Sequence, residues 1–297
     1  MLSILIPIYN FESVDLVRQI CNQCEISGIT FEVIALDDCS GDYFKKINIQ
    51  VKLIPQCIYE ELNENIGRSK IRNLLVTKAK YQNLLFLDCD SEIMSANFIY
   101  NYKKYFNSDK VIYGGRNYQA NPPKNYNLYL RWLYGVKRET IPVNKRKKHP
   151  YIYFLSNNFL VPKKYFEEIK FDETLVGYGH EDTLFSFRLK NKNIQIEHID
   201  NPLCHVGLET NLDFLLKTEE GLKNLVIVNK KMPEYSNEIR IIKIVNFLTK
   251  INLAHSTRKA IKLFEKIITK NLLSTHPSLF LFDIFKLRII LDLENLK

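Results

Sequence analysis

The sequence has no apolar run approaching the roughly 20 residues a membrane-spanning helix needs. Its start, Met1-Leu2-Ser3-Ile4-Leu5-Ile6-Pro7, lacks the basic segment and small-residue cleavage site of a secretory leader, and none is expected. Cysteine is sparse. The six residues, at 21, 24, 39, 57, 89 and 204, are too dispersed for a disulfide framework and point to a reducing compartment. Cys21 and Cys24 form a C-x-x-C, but no second pair follows at zinc-site spacing, so they read as two thiols on an apolar helix face. Internal repeats, low-complexity tracts and recognised nucleic-acid-binding motifs are also missing. The expectation is a cytoplasmic protein, soluble or peripheral on the inner face of the cytoplasmic membrane.

What is present is ordinary globular material: 297 residues, 46% hydrophobic and 25% charged, enough for a sizeable core. The net charge of +9 suits an anionic partner such as a phosphate-bearing substrate, an acidic membrane or a nucleic acid, without choosing among them.

The first half alternates strand-like and helix-like segments. Leu2–Ile8, Phe31–Leu36 and Leu84–Leu87 are short apolar runs suited to strands buried on both faces. Between the first two, Val14, Val17, Cys21 and Cys24 recur at helical spacing, with Gly28 as a stop. Ile71, Leu74, Leu75 and Ala79 mark a second helix, and Ser95–Phe106 a third. This order predicts an α/β domain with right-handed crossovers. Val111–Gly115 predicts another strand, and 116–150 a polar, Tyr-rich surface excursion containing the run Lys145-Arg146-Lys147-Lys148. Phe154–Val161 resumes the core, and Pro162 is expected to start a helix. Gly177-Tyr178-Gly179 predicts a flexible turn before a helix at about Glu181–Lys190, and Ile194–Ile199 a late strand. Strand signals stop near Asn211, and basic amphipathic helices follow. The expected organisation is a catalytic domain over 1–210 and a helical extension over 211–297.

In a doubly wound sheet, ligands gather at the carboxyl ends of the strands. Polar residues interrupt the apolar runs there: Tyr9-Asn10, Asp37-Asp38 and Asp88-Cys89-Asp90. If the chain is extended, Asp88 and Asp90 point to one face, where their repulsion favours a cation with oxygen ligands, Mg²⁺ or Mn²⁺. Alone, such a pair is more often a solvated turn. Asn65, Gly67, Arg68 and Arg72 open a helix, whose N-terminal N–H groups attract anions; a plain cap with solvated arginines is the simpler account. Glu181 and Asp182 suit a first helical turn through the helix dipole, which is the simpler account of the pair taken alone; the functional account is a general base on a rigid helix. His205 is structural, or completes a metal site near Asp90.

Taken in order, these segments resemble the family 2 glycosyltransferases with the GT-A fold, over about residues 1–207. The resemblance rests on Leu2–Asn10, Phe31–Asp42, Asn65–Asn73, Leu87–Asp90 and Gly177–Asp182. It implies a mostly parallel sheet flanked by helices, and an inverting transfer of a sugar from a nucleotide-diphosphate sugar, a UDP-sugar by expectation. Its acceptor would be a saccharide or lipid-linked molecule in bacterial cell-surface glycan synthesis. By position it implies that Pro7, Tyr9, Asn10, Asp37, Asp38, Asn65, Gly67, Arg68, Arg72, Asp88 and Gly179 bind the donor. Asp90 and His205, with Asp88, would hold Mn²⁺ or Mg²⁺. Asp182 would be the base, with Glu181 beside it, and Asn157 and Asn158 are expected at the acceptor. Cys39 departs from the pattern, which usually has Gly there, and puts the local turn geometry in question. A nucleotidyltransferase is the alternative enzyme class. A nucleic-acid partner is not expected, because the acidic crevice would repel a phosphate backbone.

Overall fold

The computed structural model describes residues 1–294. The elements run β1 (Leu2–Ile8), α1 (Val14–Ile26), β2 (Phe31–Asp37), α2 (Asp42–Asn48), β3 (Cys57–Glu61), α3 (Arg68–Lys78), β4 (Asn83–Leu87), β5 (Ser91–Ile93), α4 (Phe98–Lys103), β6 (Val111–Tyr113) and β7 (Arg116–Asn117). Next come α5 (Tyr129–Tyr134), α6 (Val143–Arg146), β8 (Asn158–Pro162), α7 (Tyr165–Glu168), α8 (Glu181–Asn191), β9 (Ile196–His198) and β10 (Leu203–His205). The chain closes with α9 (Asn211–Lys231), α10 (Arg240–Lys250), α11 (Ala254–Leu263), α12 (Glu265–Leu272) and α13 (Leu279–Glu294).

Seven strands form one sheet in the order β3-β2-β1-β4-β8-β6-β9, and β5-β10-β7 form a smaller one. β8 alone runs against its neighbours in the large sheet. The predicted α/β class is the observed one. β1, β2 and β4 are almost wholly buried, which is why their sequences are continuous apolar runs instead of alternating ones. One face of β1 and β2 packs with α1 through Val17, Ile20, Cys21 and Cys24. The other packs with α3 through Ile71, Leu75 and Val76, where a cluster of phenylalanines (Phe86, Phe159, Phe171, Phe185) fills the layer.

Compact packing divides the described residues into two units. One comprises 1–119, 140–176 and 181–207, and the other 120–139, 177–180 and the described residues from 208 onward. The second is helical, with a core from Leu130, Phe214, Leu222, Leu225, Phe282 and Ile289.

Several expectations need correction. β3 was not anticipated, because its five residues, Cys57-Ile58-Tyr59-Glu60-Glu61, are half polar and only Tyr59 is buried. A strand at the sheet edge needs little apolar surface. The 116–150 stretch is no plain excursion: it contributes β7, two short α-helices, a 3-10 turn at Tyr126–Leu128 and a π-helical turn at Gly135–Glu139. Leu130 and Arg131 are buried in the second unit, where Arg131 pairs with Glu139 and Glu209. Arg146, inside the basic run, is buried in the first unit. It donates to the carbonyls of Gly114, Ile141 and Ile199 and lies 5.2 Å from the Tyr113 ring centroid. A charge run read one residue at a time conceals that a helical turn rotates one member inward. Pro162 ends β8 instead of starting a helix.

Candidate functional site

Strands β1, β2 and β4 are adjacent and parallel, so their carboxyl ends open along one edge. The chain turns there through left-handed residues: Asn10 at φ +49° and Cys39 at φ +62°. Cys39 therefore keeps the conformation that glycine would supply, at the cost of strain. The Asn10 N–H donates to Ser40 Oγ at 2.8 Å, and the Gly41 N–H donates to Asn10 Oδ1 at 2.8 Å. Asp37 is fully buried and accepts from the Ser40 N–H at 2.6 Å and the Tyr59 hydroxyl at 3.1 Å. Asp38 accepts from the N–H groups of Ile66 (2.7 Å) and Gly67 (3.0 Å), and its carbonyl accepts from Asn65 Nδ2 at 3.1 Å. Burial pushes the Asp38 carboxyl up, against the pull of these two N–H bonds. Gly67, at φ +85° and ψ 169°, lies in a region open essentially to glycine alone, and so allows both N–H groups to face Asp38 before α3 begins. Pro7 is half-buried in β1, and Tyr9 is exposed at the rim.

The first two turns of α3 deliver two arginines to carboxylates from distant parts of the chain. Arg68 Nε donates to Glu181 Oε1 at 2.6 Å. Arg72, 2% exposed at its side chain, donates from Nη2 to Asp88 Oδ1 at 2.8 Å and reaches Glu181 Oε1 with Nη1 at 3.5 Å. Arg116 Nη2 meets the other Asp88 oxygen at 3.3 Å. Both oxygens of Asp88 therefore face guanidinium groups.

Asp90, two residues on, faces His205 at the end of β10, with Oδ2 3.1 Å from Nε2. β5 and β10 pair antiparallel with Ser91 opposite His205, and this pairing sets the approach. Asp90 Oδ1 and His205 Nδ1 are buried without a hydrogen-bond partner. Burial alone would raise the Asp90 carboxyl; His205, then Arg116 and Arg68, outweigh it and hold the carboxyl below its usual range. Gly207 lies so close that a Cβ there would stand 2.7 Å from Asp90 Cβ. Among the described residues, no three His, Cys, Asp or Glu side chains converge as a ready-made metal site.

Glu181 and Asp182 open α8. Burial opposes ionisation of Glu181, but Arg68 and Arg72 overcome it and bring its pKa down to about 2. Asp182 is raised to about 7, by burial first and by the Glu181 charge second. It accepts from the Thr183 N–H through Oδ1 at 2.7 Å.

The structure thus brings Arg68, Arg72, Asp88 and Glu181 into one network, with Asp182 next to Glu181 in the chain, and Asp90 with His205 into a pair. Asn157 is buried beside them. Its carbonyl accepts the Asp88 N–H at 3.0 Å, and its Nδ2 has no partner. Asn158 is fully buried and bonded to Tyr102, Gly115 and Asn201. Gly179, at φ +90°, lies in the second unit, where Asn224 Nδ2 donates to its carbonyl at 3.1 Å. The flexible turn expected around it is tied to α9. Arg116 was not anticipated. Its sequence signal is the Gly114-Gly115 pair that lets the chain turn from β6 into β7.

Comparisons with known proteins come to the same architecture. No curated protein matches the chain. The mannosyltransferase PcManGT from Pyrobaculum calidifontis, solved with GDP-Man and Mn²⁺, is 13% identical over 74% of this chain and 61% of its own, with a TM-score of 0.53. TarS 1-349 from S. aureus is 21% identical over 73% of this chain and 63% of its own, with a TM-score of 0.49. The chain thus spans under two thirds of either protein. The first likeness supports the GT-A fold. The sequence model of the family described as glycosyl transferase family 2 matches residues 3–170, more than half of the chain, and the protein belongs to that family.

Proposed function

We propose that the protein is an inverting glycosyltransferase that carries a sugar from a nucleotide-diphosphate sugar, a UDP-sugar on the motif resemblance, to a hydroxyl of a saccharide or lipid-linked acceptor. The observation that carries this reading is Asp182. A carboxyl raised to about 7, at the start of a rigid helix and beside the arginine-held Glu181, is matched to take a proton near neutral pH. In the proposed step the acceptor oxygen bonds to the anomeric carbon and its proton passes to Asp182. The bond from the anomeric carbon to phosphate breaks, and the nucleoside diphosphate leaves with the electron pair. Arg68, with its side chain 39% exposed, is placed to meet diphosphate charge; the buried Arg72 positions Asp88 and Glu181. Asn10, Asp37, Asp38, Asn65 and Gly67 shape the nucleoside pocket, with Pro7 and Tyr9 at its wall.

The Asp90–His205 pair fits a divalent cation. The carboxylate oxygen suits Mn²⁺ or Mg²⁺ together with substrate phosphates, the imidazole nitrogen favours Mn²⁺ of the two, and the pair's unpartnered buried atoms are what a ligand would satisfy. The complex of PcManGT with GDP-Man and Mn²⁺ supports this. Asp88, between two guanidinium groups, serves the ribose or sugar side. A bound cation would supply charge stabilisation to the departing diphosphate. Asn157 carries the acceptor proposal, since the side chain of Asn158 is committed to the sheet. We place the enzyme in bacterial surface-glycan synthesis, cytoplasmic and peripheral to the membrane. Among the described residues no helix is long and apolar enough to cross one.

Product analysis tests the reading. Release of nucleoside diphosphate from nucleotide sugars with Mn²⁺ or Mg²⁺ is expected. Nucleoside monophosphate as the product would assign a nucleotidyltransferase.

A further inference from the structure

Helices α10, α11 and α12 each bury apolar side chains on one side and leave others in solvent. In α10 the packed residues are Ile242 and Val245, whereas Ile244 and Phe247, followed by Ile251, lie at i, i+3 and i+7 on a different face and are exposed. In α11 and α12, Ile261, Ile268 and Leu272 are packed, while Leu263, Phe264 and Ile267 are 82%, 57% and 64% exposed. Stability of the helical unit explains the first stripe only. The second sets large aliphatic and aromatic side chains in water on three successive helices, which marks an interaction surface.

The charge around it is nearly of one sign. Residues 240–276 carry eight lysines and arginines against one acid, Glu265, a net of +7 in a chain of +9. Lys243, Lys250, Lys259, Lys262, Lys266 and Lys270 are all exposed, and among the described residues none forms an ion pair. Interleaved lysines and apolar residues distinguish the candidate occupants. A second copy of this chain, meeting it across a two-fold axis, would set lysine against lysine. A nucleic-acid backbone would answer the lysines but give Leu263 and Ile267 nothing to bury against. An anionic bilayer answers both, because the apolar side chains enter the acyl boundary while lysine stems lie along it with their ammonium groups among the headgroups.

We infer that the α10–α12 surface is a docking face for anionic lipid bilayers. This gives residues to the peripheral attachment proposed above. Its test contains neither donor nor acceptor, so it stands or falls apart from glycosyl transfer.

The full chain is sedimented with phosphatidylcholine vesicles with and without phosphatidylglycerol. Binding is expected to be at least about tenfold tighter with the anionic lipid and to weaken as salt rises. Leu263→Ser/Phe264→Ser/Ile267→Ser is expected to lower vesicle binding by about tenfold or more, with circular dichroism and melting unchanged. A second variant, Lys262→Glu/Lys266→Glu/Lys270→Glu, retains the apolar residues and is expected to lose the preference for phosphatidylglycerol. No binding to anionic vesicles, or binding that ignores both variants, overturns the proposal. So does a concentration-dependent dimer in sedimentation velocity that the serine variant abolishes, since the face would then join two copies.

Discussion

Glu181 and Asp182 are neighbours in the chain whose carboxyls are shifted in opposite directions. The first is held ionised by Arg68 and Arg72 and titrates at about 2; the second, buried beside that fixed charge, titrates at about 7. Two carboxyls whose surroundings push them apart are how one site supplies both a fixed anion and a proton acceptor.

On this assignment Asp182→Asn abolishes transfer and spares donor binding. The rate is expected to fall on the order of a hundredfold to ten-thousandfold. Nucleotide affinity by calorimetry is expected to stay within a factor of about two, since the substitution keeps shape and removes only the proton acceptor. For the wild type, kcat/KM is expected to rise with pH through about 7, because the base works only when deprotonated. A rate near wild type in the variant would remove Asp182 from the chemistry.

The same carboxyl couples stability to pH. Folded Asp182 keeps its proton up to about pH 7, whereas an unfolded Asp loses it near about 3.9. Its contribution to stability is therefore present below about pH 4 and lost as pH rises through about 7. Asp182→Asn removes the buried anion. Its melting temperature is expected to exceed that of the wild type at about pH 8, by less at about pH 5, and to match it near about pH 4. A gap that ignores pH would contradict the raised value.

Metal response is assigned to Asp90 and His205. Asp90→Ala is expected to weaken Mn²⁺-dependent donor binding by more than the ten- to a hundredfold typical of losing an outer-shell partner, roughly. Gly207→Ala removes no ligand atom, but its Cβ would stand 2.7 Å from Asp90 Cβ and 3.1 Å from Asp90 Oδ2, and the metal titration is expected to shift in the same direction. Unchanged titration in both variants would place the cation elsewhere.

Arg72 is the structural centre of the network. Arg72→Met leaves Asp88 and Glu181 short of a buried counter-charge and is expected to cost about 3–5 kcal/mol in urea unfolding. Arg72→Lys restores the charge but not the two-way reach of a guanidinium, so partial recovery is expected. A loss below about 1 kcal/mol would show that the pairs contribute little to stability.

The sequence by itself determined the α/β class and the strands β1, β2 and β4, because strands buried on both faces must be continuously apolar. It also located the polar breaks at Tyr9-Asn10, Asp37-Asp38 and Asp88–Asp90, because short apolar runs end where the chain leaves the sheet. Tertiary structure decided which of these groups meet. Asp88 and Asp90, a single motif on paper, face different partners: Asp88 meets Arg72 and Arg116, and Asp90 meets His205, 115 residues further on. Arg116 and Arg146 were illegible because an arginine's sequence neighbours do not tell whether a turn aims it at solvent or at a carboxylate across the sheet. Nor could periodicity separate the packed stripe of α10 from its exposed one. Both are apolar, and only the packing of the helices against α13 settles which face remains in water.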